Sequence, residues 1–182
     1  ASPHRGFHLY VPAEYQSLGC LPPEQFVPQL MERLSLPHYA GLLTAARYHG
    51  AAHQQPQQFH VVVPKNRPAI RCGRVEIEFV ARHNAAAVPT ERVNTPRGFL
   101  QISSPEANAF DLVGYHERCG GLDNVATVLA ELAEKLDPKR LAALGPLSPV
   151  PLAQRLGHLL DRVGQPSRGE QLAVFVARHA TE

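Results

Sequence analysis

Basic side chains gather in the middle of the chain, where they could bind phosphate groups. Residues 61–100 hold seven Lys and Arg residues against three Glu residues, a local charge of +4, whereas the rest of the chain has 11 basic and 13 acidic residues. Guanidinium and ammonium groups on a rigid scaffold are common contacts to nucleic-acid phosphates. The predicted contact residues, one of which lies near the amino-terminal end, are Arg5, Lys65, Arg67, Arg71, Arg74, Arg82 and Arg97. An arginine-rich sheet face that is merely solvated fits the same pattern, so both interpretations stay open.

Three carboxylates could take part in metal chemistry. Glu76 and Glu78 point to the same side of a predicted strand, and Asp111 lies between Phe110 and Leu112 in a predicted helix. A metal-dependent nuclease gathers such groups around its ions, and this is the first alternative function. Cross-strand charge pairing for the two glutamates and a structural ion pair for Asp111 are favoured instead, so no catalytic residue is predicted.

Histidines and cysteines give no complete metal site. His49 and His53 are four residues apart and would share a face of a continuous helix, but Gly50 separates them and no third ligand lies nearby. A useful zinc site needs three or four ligands. The three cysteines, Cys20, Cys72 and Cys119, are far apart and odd in number, which indicates reduced thiols rather than a disulfide framework. Because phosphate-loop spacings are also missing from the sequence, we predict no metal and no cofactor.

The elements that must position these residues fall into two parts. Residues 1–103 are predicted to hold helices and a sheet, and residues 104–182 are predicted to be helical. Strands and helices segregated along a chain are typical of an α+β fold. We expect a small antiparallel sheet packed with helices, followed by a carboxy-terminal helical bundle that forms one compact unit with the sheet.

Within the first part, the run from Phe7 to Val11 is strand-like and is closed by Pro12. Apolar spacing predicts helices over residues 23–35 and 39–49, the first with Pro28 in its opening turn or at a kink. The alternation of residues 74–82 predicts a strand with one buried and one solvated face. The other strands are predicted over residues 59–64, 69–73, 92–95 and 98–102.

Local signals also mark the helices of the second part. Ser104, Pro105 and Glu106 suit the N-cap and first turn of a helix. Gly120 and Gly121 break the chain after it. The remaining helices are predicted over residues 122–136, 137–144 and 152–163, and from Ser167, where a capping box is predicted.

Neither a run of about 18 apolar residues nor a charged-then-apolar leader is present in the sequence. We therefore expect a cytoplasmic protein without a membrane partner. The opening residues Ala1 to Arg5 are unlike a natural start, so we also expect that an upstream segment has been removed.

Several short motifs occur in a fixed order along the chain. They are Gly6-Phe7-His8-Leu9-Tyr10-Val11-Pro12, Tyr39-Ala40-Gly41-Leu42-Leu43-Thr44, His49-Gly50-Ala51-Ala52-His53-Gln54, Asn94-Thr95-Pro96-Arg97-Gly98, Ser103-Ser104-Pro105-Glu106-Ala107, Asp111-Leu112-Val113 and Gly120-Gly121-Leu122-Asp123-Asn124-Val125. Over about residues 5–165, this ordered set resembles the AbiEi family of transcriptional regulators, the antitoxins of bacterial type IV toxin–antitoxin systems that act in abortive infection.

The resemblance implies a function as well as a fold. Family members carry an amino-terminal winged helix that binds promoter DNA, and then a larger carboxy-terminal domain that is associated with antitoxin action and offers positive surface to DNA. Their toxin resembles a nucleotidyltransferase and is opposed without a stable complex. No catalytic residues come with the resemblance, and the winged helix is missing from this chain.

The predicted function is therefore that of the carboxy-terminal domain of an AbiEi-like antitoxin and transcriptional regulator. It would be non-catalytic and would make auxiliary contacts to DNA phosphates. A protein-interaction domain with no nucleic-acid role is the second alternative.

Overall fold

A computed structural model describes residues 1–52 and 57–179 of the chain. They fall into two compact units. The first takes the described residues of Ala1–Thr44 and Pro56–Ile102, and the second those of Ala45–Gln55 and Ser103–Glu182. A six-stranded sheet occupies the first unit and most of the helices belong to the second, so the predicted α+β class is confirmed. No helix within the described ranges is both long and apolar enough to cross a membrane.

The segment from Phe7 to Val11 is not the strand that the sequence predicted. Its backbone groups are used locally, because the N–H of Phe7 donates to the His4 carbonyl at 2.9 Å and the N–H of Leu9 donates to the Ala1 carbonyl at 2.7 Å. Gly6, with φ of +71°, makes the tight turn between them. The side chains of Phe7 and Leu9 nevertheless pack against the hydrophobic core of the first unit.

The two helices that precede β2 are shorter than predicted. A 3-10 turn at Pro23–Gln25 leads into α1 at Val27–Arg33, which accepts Pro28 in its first turn. Residues Tyr39–Ala40 form a two-residue strand, β1, and not the start of the second helix, so α2 covers Leu42–Tyr48.

The reason for this late helix start lies at Gly41. Its N–H donates to the His60 carbonyl at 3.2 Å, and a Cβ there would lie 2.7 Å from Cγ2 of Val62. Leu42 then takes a φ of +53°. The chain is therefore held against the neighbouring strand until it turns sharply into α2.

The sheet is mixed, and the prediction that it is antiparallel is wrong. Its strands lie in the order β3-β4-β2-β1-β6-β5. Strands β2 and β4 are parallel neighbours, as are β1 and β6, whereas β1 with β2 and β3 with β4 are antiparallel. Alternation along a strand identifies its buried face, but it carries no information on the direction of the neighbouring strand. The bounds are Phe59–Val63 for β2, Ile70–Cys72 for β3, Val75–Ala81 for β4, Thr90–Thr95 for β5 and Gly98–Ser103 for β6.

One face of β2, β3 and β4 forms the core of the first unit together with α1 and the residues before it. Along β4, Val75, Ile77 and Phe79 are buried, which confirms the predicted buried face. The other face is not solvated as predicted, because Glu76 and Glu78 are half-buried and Val80 is buried. The buried members of this core are Cys20, Leu21, Phe26, Val27, Leu30, Met31, Val61, Val63, Cys72, Val75, Ile77 and Phe79.

The second unit is helical, as predicted. Ser104 caps α3, its Oγ accepting from the N–H of Ala107 at 3.3 Å, and Asp137 caps α5. The predicted capping box at Ser167 is wrong, because the last helix already begins at Pro166, a residue suited to the first helical position. The helices are α3 at Pro105–Gly114, α4 at Leu122–Leu132, α5 at Pro138–Ala143, α6 at Val150–Arg162 and α7 at Pro166–His179.

Candidate nucleic-acid interface

Two of the basic segments leave the sheet at the same end because β2 and β4 run in parallel. Their last residues, Val63 and Ala81, are register partners, and the N–H of Arg82 donates to the Val63 carbonyl at 2.8 Å. Lys65 follows β2 by two residues. The connection after β2 and the connection after β4 therefore place their basic side chains beyond the same end of the sheet, where both strands finish.

The β5–β6 hairpin turn lies at this end as well. Ala40 of β1 is opposite both Val61 of β2 and Ile102 of β6. Since β1 is antiparallel to β2 and parallel to β6, the start of β6 lies toward the carboxyl end of β2. The turn that carries Arg97, just before β6, thus shares the end of the sheet that carries Lys65 and Arg82.

We call this set of four residues, Lys65, Arg67, Arg82 and Arg97, the basic end. Lys65 and Arg97 are exposed, and Arg67 and Arg82 are half-buried. Three strand spacings separate β4 from β6, which corresponds to about 14 Å across the sheet. No Asp or Glu occurs in the connections at this end, which are residues 64–69, 82–89 and 95–98. The charged Lys and Arg side chains in these connections are therefore all positive.

Local hydrogen bonds hold two of these connections. Nε of Arg82 donates to Oδ1 of Asn84 at 2.9 Å, which directs the guanidinium along its own turn. At the hairpin, Oγ1 of Thr95 donates to the Gly98 carbonyl at 3.2 Å and accepts from the N–H of Arg97 at 3.4 Å. The scaffold of the basic end is therefore built from backbone and short polar side chains.

The other three predicted contact residues lie elsewhere. Arg71, on β3, is 79% exposed and pairs with Glu76, to which its Nε and Nη2 both donate at 3.0 Å. Arg74 is exposed in the β3–β4 turn, at the opposite end of the sheet from Arg82, and its N–H donates to the Leu18 carbonyl at 2.7 Å. Arg5 is exposed in the turn between His4 and Phe7.

Sequence reasoning missed Phe99, which is 58% exposed directly after the β5–β6 turn. Leu100 and Ile102, which alternate with Phe99 along β6, are buried. Phe99 therefore points to the opposite face of the strand. That alternation was readable from the sequence. This exposed aromatic ring, two residues after Arg97 in the sequence, adds a flat apolar surface near the hairpin turn of the basic end.

The family of the chain follows from comparison with known proteins. A family model described as the AbiEi antitoxin C-terminal domain matches residues 39–162, from the start of β1 to the end of α6 and thus more than half of the chain. The chain belongs to this family. The resemblance predicted from the ordered motifs is thereby confirmed.

One solved structure supports the fold of this AbiEi domain. The crystal structure of the RV2827C protein from Mycobacterium tuberculosis matches over 82% of this chain with a TM-score of 0.58 and 21% identity, and the present chain spans 56% of that chain's length. The solution structure of the antibiotic-resistance factor ANT(2'')-Ia matches over 86% of this chain and 94% of its own with a TM-score of 0.38 and 12% identity, a similarity too low to carry an argument. No curated protein matches the sequence.

Two of the three carboxylates of the AbiEi domain that could have supported a nuclease lie next to basic side chains of neighbouring strands. Glu76 is the register partner of Arg71 and accepts from it, and Oε2 of Glu78 lies 3.6 Å from Nε2 of His60 on the adjacent strand. The predicted cross-strand charge pairing is therefore confirmed for Glu76, whereas the neighbour of Glu78 across the strands is a histidine. Asp111 is buried within α3.

The histidine pair is only partly described. Nε2 of His49 lies 2.8 Å from the Ser103 carbonyl, a buried contact in which the ring nitrogen donates, and His53 lies outside the described residues. Within residues 1–52 and 57–179, no three His, Cys, Asp or Glu side chains are grouped so that they could hold a metal ion.

Proposed function

We propose that this AbiEi domain is the non-catalytic body of an antitoxin that also regulates transcription, and that its basic end contacts DNA phosphates. The observation that carries the proposal is the convergence of Lys65, Arg67, Arg82 and Arg97 from three separate connections at one end of the sheet. Of the seven basic residues predicted as contacts, these four are the ones we propose.

The spacing of these cations suits a duplex. About 14 Å separates the connections after β4 from the β5–β6 turn, and the major groove of B-DNA is about 12 Å wide. The basic residue after β4 and the one before β6 could therefore reach phosphates on opposite edges of one groove. Phe99 adds an apolar contact beside Arg97.

Such contacts position the protein on DNA without reading its sequence, because phosphates carry no sequence information. Promoter recognition then belongs to another module, which is the winged helix in this family. The family also implies a toxin partner. We propose that this partner is nucleotidyltransferase-like and is opposed without a stable complex, and that the protein acts in the cytoplasm.

The test is the salt dependence of duplex binding, measured with this chain by fluorescence anisotropy between 50 and 300 mM salt. Each lost phosphate contact lowers the slope of log Kd against log salt by about 0.9. The triple variant K65A/R67A/R97A lacks three contacts, so its slope should be smaller by about 2.7. At 0.1 M salt, each lost contact should raise the Kd about tenfold. Arg82 is left in place because its side chain also holds the β4 connection.

Arg74→Ala is the matched control, since it removes an exposed arginine from the opposite end of the same sheet. It should leave the slope unchanged. Binding that ignores salt, or a slope that falls as much in the control as in the triple variant, would contradict the proposed interface and favour a protein-interaction role. Cleavage of DNA or RNA that a chelator abolishes would contradict the non-catalytic part.

A further inference from the structure

Two stretches of backbone that are distant in sequence run side by side at the β3–β4 turn. The N–H of Arg74 donates to the Leu18 carbonyl at 2.7 Å. One residue inward, Gly19 and Gly73 meet so closely that a Cβ on Gly73 would lie 2.8 Å from Cα of Gly19 and would collide with the Leu18 carbonyl oxygen. Residues 18–20 and 72–74 are thus opposed in antiparallel order.

The next pair in this order is Cys20 and Cys72. Residues directly opposite in antiparallel backbones have Cα atoms about 4.5–5.5 Å apart, which lies within the span of about 4.4–6.8 Å that a disulfide bridges. Both side chains are reduced thiols and belong to the same hydrophobic core cluster. Burial, and then the neighbouring Cys72, raise the pKa of the Cys20 thiol to about 12, in keeping with this opposed placement.

We propose that Cys20 and Cys72 are an oxidisable pair that closes a reversible intramolecular disulfide, with a low-molecular-weight disulfide such as oxidised glutathione as the oxidant. This inference is independent of DNA binding. It concerns the attachment of the segment before α1 to the edge strand β3.

The reaction balances as two thiol–disulfide exchanges. The Cys72 thiolate attacks one sulfur of the small disulfide, which forms a mixed disulfide and releases one small thiol. The Cys20 thiol, whose pKa is raised mainly by burial, loses its proton to solvent when the edge strand opens, and its thiolate attacks Sγ of Cys72, which forms the Cys20–Cys72 bond and releases the second small thiol. The protein pair loses two electrons, the small disulfide gains them, and its two sulfurs take up the two thiol protons.

The order of the two steps follows from position. Cys72 is 6% exposed and lies on a three-residue strand at the edge of the sheet, whereas Cys20 is fully buried. Edge strands with few backbone hydrogen bonds open more readily than central ones. Cys72 is therefore the thiol that an external disulfide reaches first, and Cys20 is the resolving thiol.

The experiment refolds the reduced chain from urea in buffers of defined glutathione ratio and maps disulfides by mass spectrometry of non-reduced digests. Starting from the unfolded chain exposes every thiol, so burial cannot block the reaction. We expect one product that is 2 Da lighter, with a peptide joining Cys20 to Cys72. Closure of a loop of roughly 50 residues should be favoured about 1000-fold in the folded chain over the chain in urea, if the bond is unstrained.

Cys119 supplies the matched control, since it is a buried thiol in the second unit. Cys119→Ser should leave the 2 Da loss unchanged, and Cys72→Ser should abolish it. The proposal is overturned if the wild-type chain closes no more readily when folded than in urea, or if it yields only glutathione adducts or a bond to Cys119. Those wild-type results decide the matter even if Cys72→Ser fails to fold.

Discussion

Gly73 is the position where one added methyl group should separate two backbones. Its φ is +60°, and its α-carbon faces the carbonyl of Leu18 and the backbone of Gly19. An alanine there meets backbone atoms that cannot rotate away. The β3–β4 turn must therefore move from residues 18–20, which breaks the hydrogen bond from Arg74 to Leu18.

The size of the effect follows from two contributions. Holding an alanine in the left-handed region costs about 1–2 kcal/mol. Losing the Arg74–Leu18 hydrogen bond and the packing beside it adds about 1.5 kcal/mol. Gly73→Ala should therefore lower the free energy of unfolding by about 3 kcal/mol.

Gly6→Ala is the matched control in the same unit. Gly6 has a similar φ of +71°, but a Cβ there would meet the flexible end of Arg33 at an ordinary 3.4 Å. It should lose only the backbone contribution of about 1–2 kcal/mol. Urea unfolding followed by circular dichroism, with equal slopes for the variants, measures the difference. If Gly73→Ala loses no more stability than Gly6→Ala, the close approach of the two backbones is refuted.

Two helix caps in the second unit give further predictions. Ser104→Ala should lower stability by about 1 kcal/mol, because the N–H of Ala107 loses the Oγ that accepts from it, and a Thr substitution that keeps the hydroxyl should recover most of it in the same urea titration. The N–H of Arg140, and then that of Lys139, donate to the Asp137 carboxylate and hold its pKa below the usual 3.8. Because the pKa is lower in the folded state than in the unfolded state, the ionised carboxylate stabilises the folded protein above pH 3.8. This stabilisation is lost as the pH falls through the folded-state pKa. Thermal unfolding should therefore show the advantage of the wild type over Asp137→Asn shrinking below pH 3.8, and an advantage that is constant with pH would contradict this role.

Elements with local signals were predictable from the sequence. The start of α3 depends on Ser104 and Pro105, and the alternation of β4 depends on the contrast of Val75 and Ile77 with Glu76. Each of these needs only its immediate neighbours. The chain near Tyr39 shows the opposite case, because apolar spacing predicted a helix where pairing with Val62, 23 residues away, makes a strand.

The candidate site was predictable in composition but not in geometry. The sequence shows that Lys65, Arg82 and Arg97 are basic and lie near strand ends. It does not show that β2 and β4 are parallel neighbours, which brings these residues to one end, or that Arg74 lies at the other. Strand direction is decided by contacts between distant segments, and no alternation pattern records them.

The shortness of β1 has a mechanical consequence for the whole sheet. This strand joins β2 through two register pairs and β6 through one, so the sheet consists of two halves that meet at a narrow seam. Few backbone hydrogen bonds resist twisting there, and amide hydrogen exchange should be fastest at this seam among the central strands. Lys65, Arg67 and Arg82 belong to one half and Arg97 belongs to the other. The distance between Arg97 and the other three basic residues is therefore the dimension of the basic end that changes most easily. A small relative twist of the two halves could adjust it to a duplex with a narrower or wider groove.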